Sequence, residues 1–534
     1  MCSRVATAIL VCLAACTEEV STGEVWLEDL TASSGLDHRR VPEDGDATLA
    51  DRMMAGVCVL DLDGEAPLDL FFSGRASGTG LYRATAPFTY EDVSDRLDLS
   101  GLDPLGCLAA DLDGNGEDDL VVSSRGEVTL FSRALGVFTR SALVTAPSTH
   151  LFASVAAGDL DDDGDLDLVV AGFVDQASQP EVDCAPLPCG VRLERMEGIP
   201  NVLLVQEGGA FIDRTELAPA LSLNEPTLVV SIVDLDADGA PEIYVGNDLG
   251  ARFPDRLLVR EGAAYLDRAV DRGLATNGRG FGMDTMGVAF GDVDGDGTLD
   301  LATTDFAGMN SSVFYCGEDR YCEERGRTMG LLRTEDTFRW GNALSDLDGD
   351  GDLDLFEATG HVYTEDEARG FGYTLRRAQP PNLYEGRIAG HFARVIPTAD
   401  GRSALARAYD ARGLSVFDAD DDGALDVVLA TTRGAPALLH NVRDRADHHW
   451  LRVVLTGHAP NPSAIGARVE LASATATLQR LRLAGEGYLG SFDPRLHFGL
   501  PDAGPVSLRV HWPDGTESEH AVDAVDQEVR IEQP

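Results

Sequence analysis

DLDDDGDLD, Asp159 to Asp167, is the stretch on which the reading of the whole chain turns. It sets acids at positions one, three, five, seven and nine of a nine-residue frame, with Gly164 at position six. The same frame recurs at Asp61 to Asp69, Asp111 to Asp119, Asp234 to Glu242, Asp292 to Asp300, Asp346 to Asp354 and Asp418 to Asp426. Copies spaced about 50 to 75 residues apart signify a repeat architecture. Asp and Gly also make ordinary hairpin turns, but such turns need only one or two of these residues. Carboxylates held in register through all copies fit a cation cage instead. Ca²⁺ takes six to eight hard oxygen ligands in a flexible shell. Positions one, three and five of a tight turn converge three side chains, position seven adds its carbonyl, and the acid at nine closes the cage. Gly at position four or six permits the left-handed turn this needs.

Short apolar runs bracket each loop. Cys58-Val59-Leu60 enters the first and Leu70-Phe71-Phe72 leaves it; Leu168-Val169-Val170-Ala171 leaves the third. Such continuous runs read as strands buried on both faces. A second hairpin follows at intervals, as at residues 201–205 with 210–213 and 256–260 with 264–267. Two hairpins per period make the four strands of one propeller blade. The expected fold class is therefore all-β: a seven-bladed β-propeller over residues 24–445, then a small β domain over 447–532. After the seventh loop one strand is missing, and residues 24–30 are expected to supply it. Insertions near 173–200, 305–335 and 360–405 fall on loops, where repeat arrays often bind their partners.

The opening MCSRVATAILVCLAACTEEV reads as an export signal over residues 1–15, with a linker over 16–23. Leu13-Ala14-Ala15-Cys16 resembles the lipobox of bacterial lipoproteins, which implies an acylated Cys16 and a lipid-anchored protein of the cell envelope. Net charge is −49, and all 42 basic residues are arginine. Such a field repels nucleic acid and anionic membranes. About a third of the 91 acidic residues sit in the seven loops, where cations would neutralise them. Free calcium abounds outside cells, so charge, signal and motif point to the same compartment. Export also permits disulfides, expected between Cys184 and Cys189 and between Cys316 and Cys322. Cys58 and Cys107, on opposite faces of their own strands, read as buried thiols, and the sequence leaves open whether they pair.

The loops, with Phe281-Gly282 and Gly291-Asp292-Val293-Asp294-Gly295-Asp296-Gly297 as the clearest copy, resemble the FG-GAP or VCBS repeats of integrin-α-like propellers. Asn461-Pro462-Ser463-Ala464-Ile465-Gly466-Ala467, then Gly485-Glu486-Gly487-Tyr488-Leu489-Gly490-Ser491, Asp493-Pro494-Arg495-Leu496-His497-Phe498-Gly499 and Trp512-Pro513-Asp514-Gly515 resemble an ASPIC/UnbV domain. That order is similar to the cartilage-acidic-protein-like family of secreted proteins. The resemblance implies several Ca²⁺ ions, up to seven, and these ligands. The first loop offers Asp61, Asp63, Glu65 and Asp69; the second Asp111, Asp113, Asn115, Glu117 and Asp119. The third offers Asp159, Asp161, Asp163, Asp165 and Asp167, and the fourth Asp234, Asp236, Asp238, Ala240 and Glu242. The fifth offers Asp292, Asp294, Asp296, Thr298 and Asp300; the sixth Asp346, Asp348, Asp350, Asp352 and Asp354. The seventh offers Asp418, Asp420, Asp422, Ala424 and Asp426. At the seventh position the ligand is the carbonyl. Loops three, five and six are expected to bind best, with seven close behind. Loops one and four are expected to lag, because Glu65 and Glu242 depart from the frame.

No nucleophile elbow, HExxH or phosphate-binding loop occurs. His448-His449 beside Trp450 reads as a domain junction, and His497 as a structural hydrogen-bonding residue. The expected function is a non-catalytic, exported module for binding, adhesion or matrix contact, its partner an extracellular protein or polysaccharide. The alternative is an exported hydrolase or carbohydrate-processing enzyme that uses the propeller channel, a role the fold alone does not exclude.

Overall fold

The computed structural model describes residues 20–22, 26–38, 48–64, 66–74, 79–178, 197–306, 310–331, 337–363, 376–397, 402–443 and 448–534. The expected signal and Cys16, together with Glu65, Cys184 and Cys189, lie outside these residues.

Seven antiparallel sheets follow one another along the chain, each in the expected order around its acidic loop. In the third, His150–Gly158 runs up to the loop and Asp167–Asp175 runs away from it. Val202–Glu207 and Ala210–Asp213 complete that blade. Residues 168–174 are buried throughout, as a central blade strand requires. The seventh sheet takes its outer strand from the other end of the chain: Leu27–Asp29 pairs antiparallel with Ala437–Asn441, Leu27 opposite Asn441. The pairing expected for residues 24–30 is thus present, and it covers what would be an exposed edge. Gly413 N–H donates to the Ala55 carbonyl at 2.8 Å, which ties the seventh sheet to the first. Val20–Thr22, read from sequence only as linker, adds a parallel strand to the outer edge of the sixth sheet, on His391–Ile396.

The tail contains a three-stranded and a four-stranded sheet packed around Phe498, Trp512, Leu451 and Val469. It is bound to the propeller by more than surface contact. Residues 484–493 leave the tail and enter the mouth where the inner strands of the blades meet. Val59 donates to the Ser491 carbonyl (3.1 Å), Cys107 to Leu489 (3.2 Å) and Ala157 to Ala484 (3.0 Å). Val288 and Gly487 exchange both of their backbone bonds, at 3.1 and 2.8 Å. The hydroxyls of Ser231 and Ser415 donate to the Gly485 and Ser491 carbonyls. Blades one, two, three, four, five and seven therefore all hold this one segment. Glycine is obligatory where backbones come this close. A Cβ at Gly490 would stand 2.1 Å from the Val57 carbonyl, and one at Gly485, in the left-handed region, 2.4 Å from that of Val155.

From the opposite mouth comes a short helix, Leu49–Met53, closed by a capping box between Thr48 and Asp51. Tyr488 and Leu489 meet Met53, Met54 and Trp340 in one buried cluster. The position that a channel-bound substrate would take is filled by side chains of the chain itself.

One cysteine pairing that the sequence leaves open is decided in the fold. Cys58 and Cys107 are joined as a disulfide rather than left as thiols. They lie on the first strands of adjacent blades, and alternation within each strand says nothing of how two such strands face each other. Cys316 and Cys322 are bonded as expected, on paired residues of neighbouring strands.

Candidate metal centres

Each acidic loop is folded by its own carboxylates. In loops two to seven the acid at position one accepts the N–H of the residue at position six: Asp159 from Gly164 at 3.0 Å, Asp292 from Gly297 at 3.0 Å, Asp346 from Gly351 at 2.9 Å. The acid at position five accepts the N–H at position seven, as Asp163 does from Asp165 at 2.9 Å. Asn115 does the same for Glu117 at 2.8 Å. Position four is left-handed in all seven loops and position six in loops two to seven, so Asp162, Ala237 and Asp421 carry positive φ at position four, where the other loops have glycine. That conformation is costly for a residue with a Cβ, most of all for Ala237, which has no side-chain polar group to compensate.

Positions one, three and nine converge. In each of the groups Asp61, Asp63 and Asp69; Asp111, Asp113 and Asp119; Asp159, Asp161 and Asp167; Asp234, Asp236 and Glu242; and Asp292, Asp294 and Asp300, one oxygen per residue lies within 4.8 Å of the others. Burial, reinforced by these like-charged neighbours, pushes Asp69, Asp119 and Asp167 up to about 7. It pushes Glu242 and Asp300 up to about 8. Oδ1 of Asp236, Asp294 and Asp420 and Oε1 of Glu242 are buried with no hydrogen-bond partner. Orphaned carboxylate oxygens at close range are the donor set of a hard divalent cation, and Ca²⁺ fits it.

The acid at position nine has a second task that the sequence did not announce. Asp167 accepts Leu160 N–H at one oxygen and Gln206 N–H at the other, both at 2.9 Å. Asp69, Asp119, Asp300, Asp354 and Asp426 make the same pair of bonds, to their own loop and to the third strand of the blade. Glu242 keeps the loop bond to Leu235 but leaves Oε1 unbonded. One extra methylene spoils the bridge.

Guanidinium groups reach several cages. Arg272 and Arg320 both meet Asp236 at 2.9 Å. Arg443 meets Asp348 at 2.7 Å, and Arg452, from the tail, meets Asp418 at 2.9 Å. Arg452 and Arg495 also hold Asp421, at 2.8 and 3.1 Å. His448 Nδ1 lies 2.6 Å from the Asp348 carbonyl, and His497 Nε2 lies 2.9 Å from that of Gly423. The histidines thus sit at the domain junction, and the tail rests on loops six and seven. Sequence spacing could not reveal these partners. Two glycines flanking Tyr488-Leu489 were the one visible sign of a loop made for close backbone approach.

With that geometry in hand, comparison with known proteins is decisive for the modules. Residues 457–534 match the ASPIC and UnbV family model, and residues 111–170 match an FG-GAP-like repeat. The chain thus carries an FG-GAP-like repeat and an ASPIC and UnbV domain. It is similar to cartilage acidic protein 1 of Mus musculus, at 26% identity over 293 residues, 54% of this chain and 42% of that protein. The Homo sapiens protein of the same name is 26% identical over 299 residues, covering 54% and 40%. The match thus spans less than half the length of those relatives. The matched repeat holds loops two and three, and the ASPIC and UnbV match contains the whole segment seated in the propeller mouth.

Proposed function

We propose that this chain is an exported, calcium-stiffened propeller that acts as a non-catalytic module for binding, adhesion or matrix contact. The observation that carries the reading is the set of converging carboxylates whose buried oxygens lack partners. Without cations each cage holds like charges at close range, which opposes folding; a bound cation reverses that sign. A rigid propeller with both mouths filled offers its loops, not its channel, to a partner. This favours binding over the channel enzyme. Likeness to cartilage acidic protein 1, the two disulfides and the signal-like N-terminus support export, and the lipobox-like sequence at Cys16 supports a lipid anchor on the cell envelope.

Calorimetric titration of the chelated protein tests the first part: several calcium sites are expected, and Mg²⁺ should substitute poorly because it demands a tighter octahedral shell. Cation binding to the folded form alone adds about 2.7 kcal/mol per site at a hundredfold excess over Kd. A melting curve indifferent to chelator would sink the calcium reading. For the anchor, Cys16→Ser should abolish labelling by a fatty-acid probe, and unchanged labelling would refute it.

A further inference from the structure

Blade five carries a cleft away from its calcium loop. The first strand of that blade, Val288–Gly291, enters loop five at its far end. At its near end it is preceded by a tight turn built on Asn277. The Asn277 side-chain oxygen accepts the N–H groups of Arg279 (3.0 Å) and Phe281 (3.2 Å), and the Asn277 N–H donates to the Phe281 carbonyl at 2.8 Å. Glu324 pins this turn to the blade by accepting Gly278 N–H at 3.2 Å and Gly326 N–H at 3.0 Å. Between the turn and residues 310–328 lies a cleft of about 310 Å³. Its lining includes Asn277, Arg279, Phe281, Asn310, Arg325 and Arg327.

Two features of this lining run against the rest of the molecule. Phe281 is 65% exposed, the one large hydrophobic side chain so exposed in the cleft among the described residues. Three arginines gather there in a chain whose net charge is −49. Arg325 pairs with Glu323 at 2.9 Å and lies over the Tyr315 ring. Arg279 and Arg327 make no ion pair with any described residue. Arg279 also faces the Glu324 carboxylate of the lining; exposed guanidiniums present paired donors that match a carboxylate. An aromatic face bordered by amides offers an apolar surface beside hydrogen-bonding groups.

We propose that this cleft binds an acidic saccharide, its uronate carboxylate held by Arg279 and Arg327 and a sugar ring laid against Phe281. The volume lies at the small end of ligand pockets and suits one or two rings. A protein partner would need about 800 Å² of surface with an apolar centre, and one isolated phenylalanine does not make one. Local positive charge is also what an anionic glycan needs to approach a strongly acidic protein. The tail rests on the face of the calcium loops and leaves this one open. The inference rests on the reading of the chain as a binding module and names the ligand class.

The test uses the full chain with a glucuronate-bearing octasaccharide, its carboxyl-reduced form and an oligoglutamate of equal charge. Wild type should bind the charged sugar at least tenfold more tightly than either control. The double variant Arg279→Ser, Arg327→Ser should lose at least tenfold, and Phe281→Ala several-fold. Absence of binding, equal binding of oligoglutamate, or affinity unchanged in these variants would overturn the proposal. Melting of the same proteins with calcium and with chelator separates the two ideas. A chelator shift that persists while sugar binding fails overturns the cleft alone; a missing shift overturns the calcium reading.

Discussion

The hydroxyl of Tyr488 donates to the carbonyl of Met53, 3.1 Å away in space and 435 residues away in sequence. One residue belongs to the ASPIC and UnbV domain, the other to a helix that precedes the first blade. Their bond joins the two plugs that fill the propeller from opposite mouths. Trp340 stands 5.6 Å from the Tyr488 ring, and the buried Arg412 lies 4.4 Å over Trp340 while donating to the Arg52 carbonyl at 2.6 Å.

The tail should therefore not melt independently. Tyr488→Phe should cost about 1 kcal/mol, the net worth of one hydrogen bond. Tyr488→Ala should cost about 3–5 kcal/mol, since it opens a cavity among fully buried side chains. Differential scanning calorimetry should show propeller and tail unfolding in one shared transition. A tail that melts alone, well before the propeller, would contradict the keystone role of residues 484–493.

Cages with and without guanidinium partners should differ in calcium affinity. Each of Asp294 in loop five and Asp236 in loop four keeps one buried oxygen with no partner, but Asp236 also meets two arginines next to a left-handed Ala237. Asp294→Ala should remove one tight site from a calorimetric titration. Asp236→Ala should leave the count of tight sites unchanged. By the same reasoning loop six, where Arg443 holds Asp348, should bind more weakly than loops three and five.

Position nine should matter even without metal. Asp167→Ala leaves the buried N–H groups of Leu160 and Gln206 unpaired, at about 1–3 kcal/mol each. In excess chelator this variant should unfold at clearly lower denaturant than wild type. Asp163→Ala, at an exposed cage position, should lose calcium affinity yet unfold in chelator close to wild type. Equal behaviour of the two in chelator would show that the bridge to the third strand carries no stability.

His361 should make stability fall with acid. It is fully buried, its Nδ1 accepts the Tyr363 N–H at 2.9 Å, and burial with nearby Arg412 pushes it down to about 4. The folded state then prefers neutral imidazole, whereas the unfolded chain takes up a proton near 6.5. This contribution is complete above about pH 6.5 and is lost as pH falls from there through about 4, by at most about 1.4 kcal/mol per pH unit. The stability difference between wild type and His361→Gln, followed by urea denaturation, should shrink across that window. A difference independent of pH would refute it.

The blade count, the place of every acidic loop and the borrowed outer strand can all be read along the chain. The first two are local: a nine-residue frame closes on itself through the bonds of Asp159 with Gly164 and of Asp163 with Asp165, and apolar runs on either side leave strands little alternative. Even the pairing of Leu27 with Asn441 was legible, because an unpaired edge and an orphan strand require each other. What crosses between repeats becomes visible once the blades are set side by side. The Cys58–Cys107 bond, the arginines on Asp236, Asp348 and Asp418, and the seating of Tyr488 depend on how one blade faces the next and where the tail comes to rest. Those distances are set by the angles between whole sheets, and no spacing along the chain encodes them. The double duty of position nine was hidden for a related reason: a carboxylate has two oxygens, and the motif accounts for only one of them.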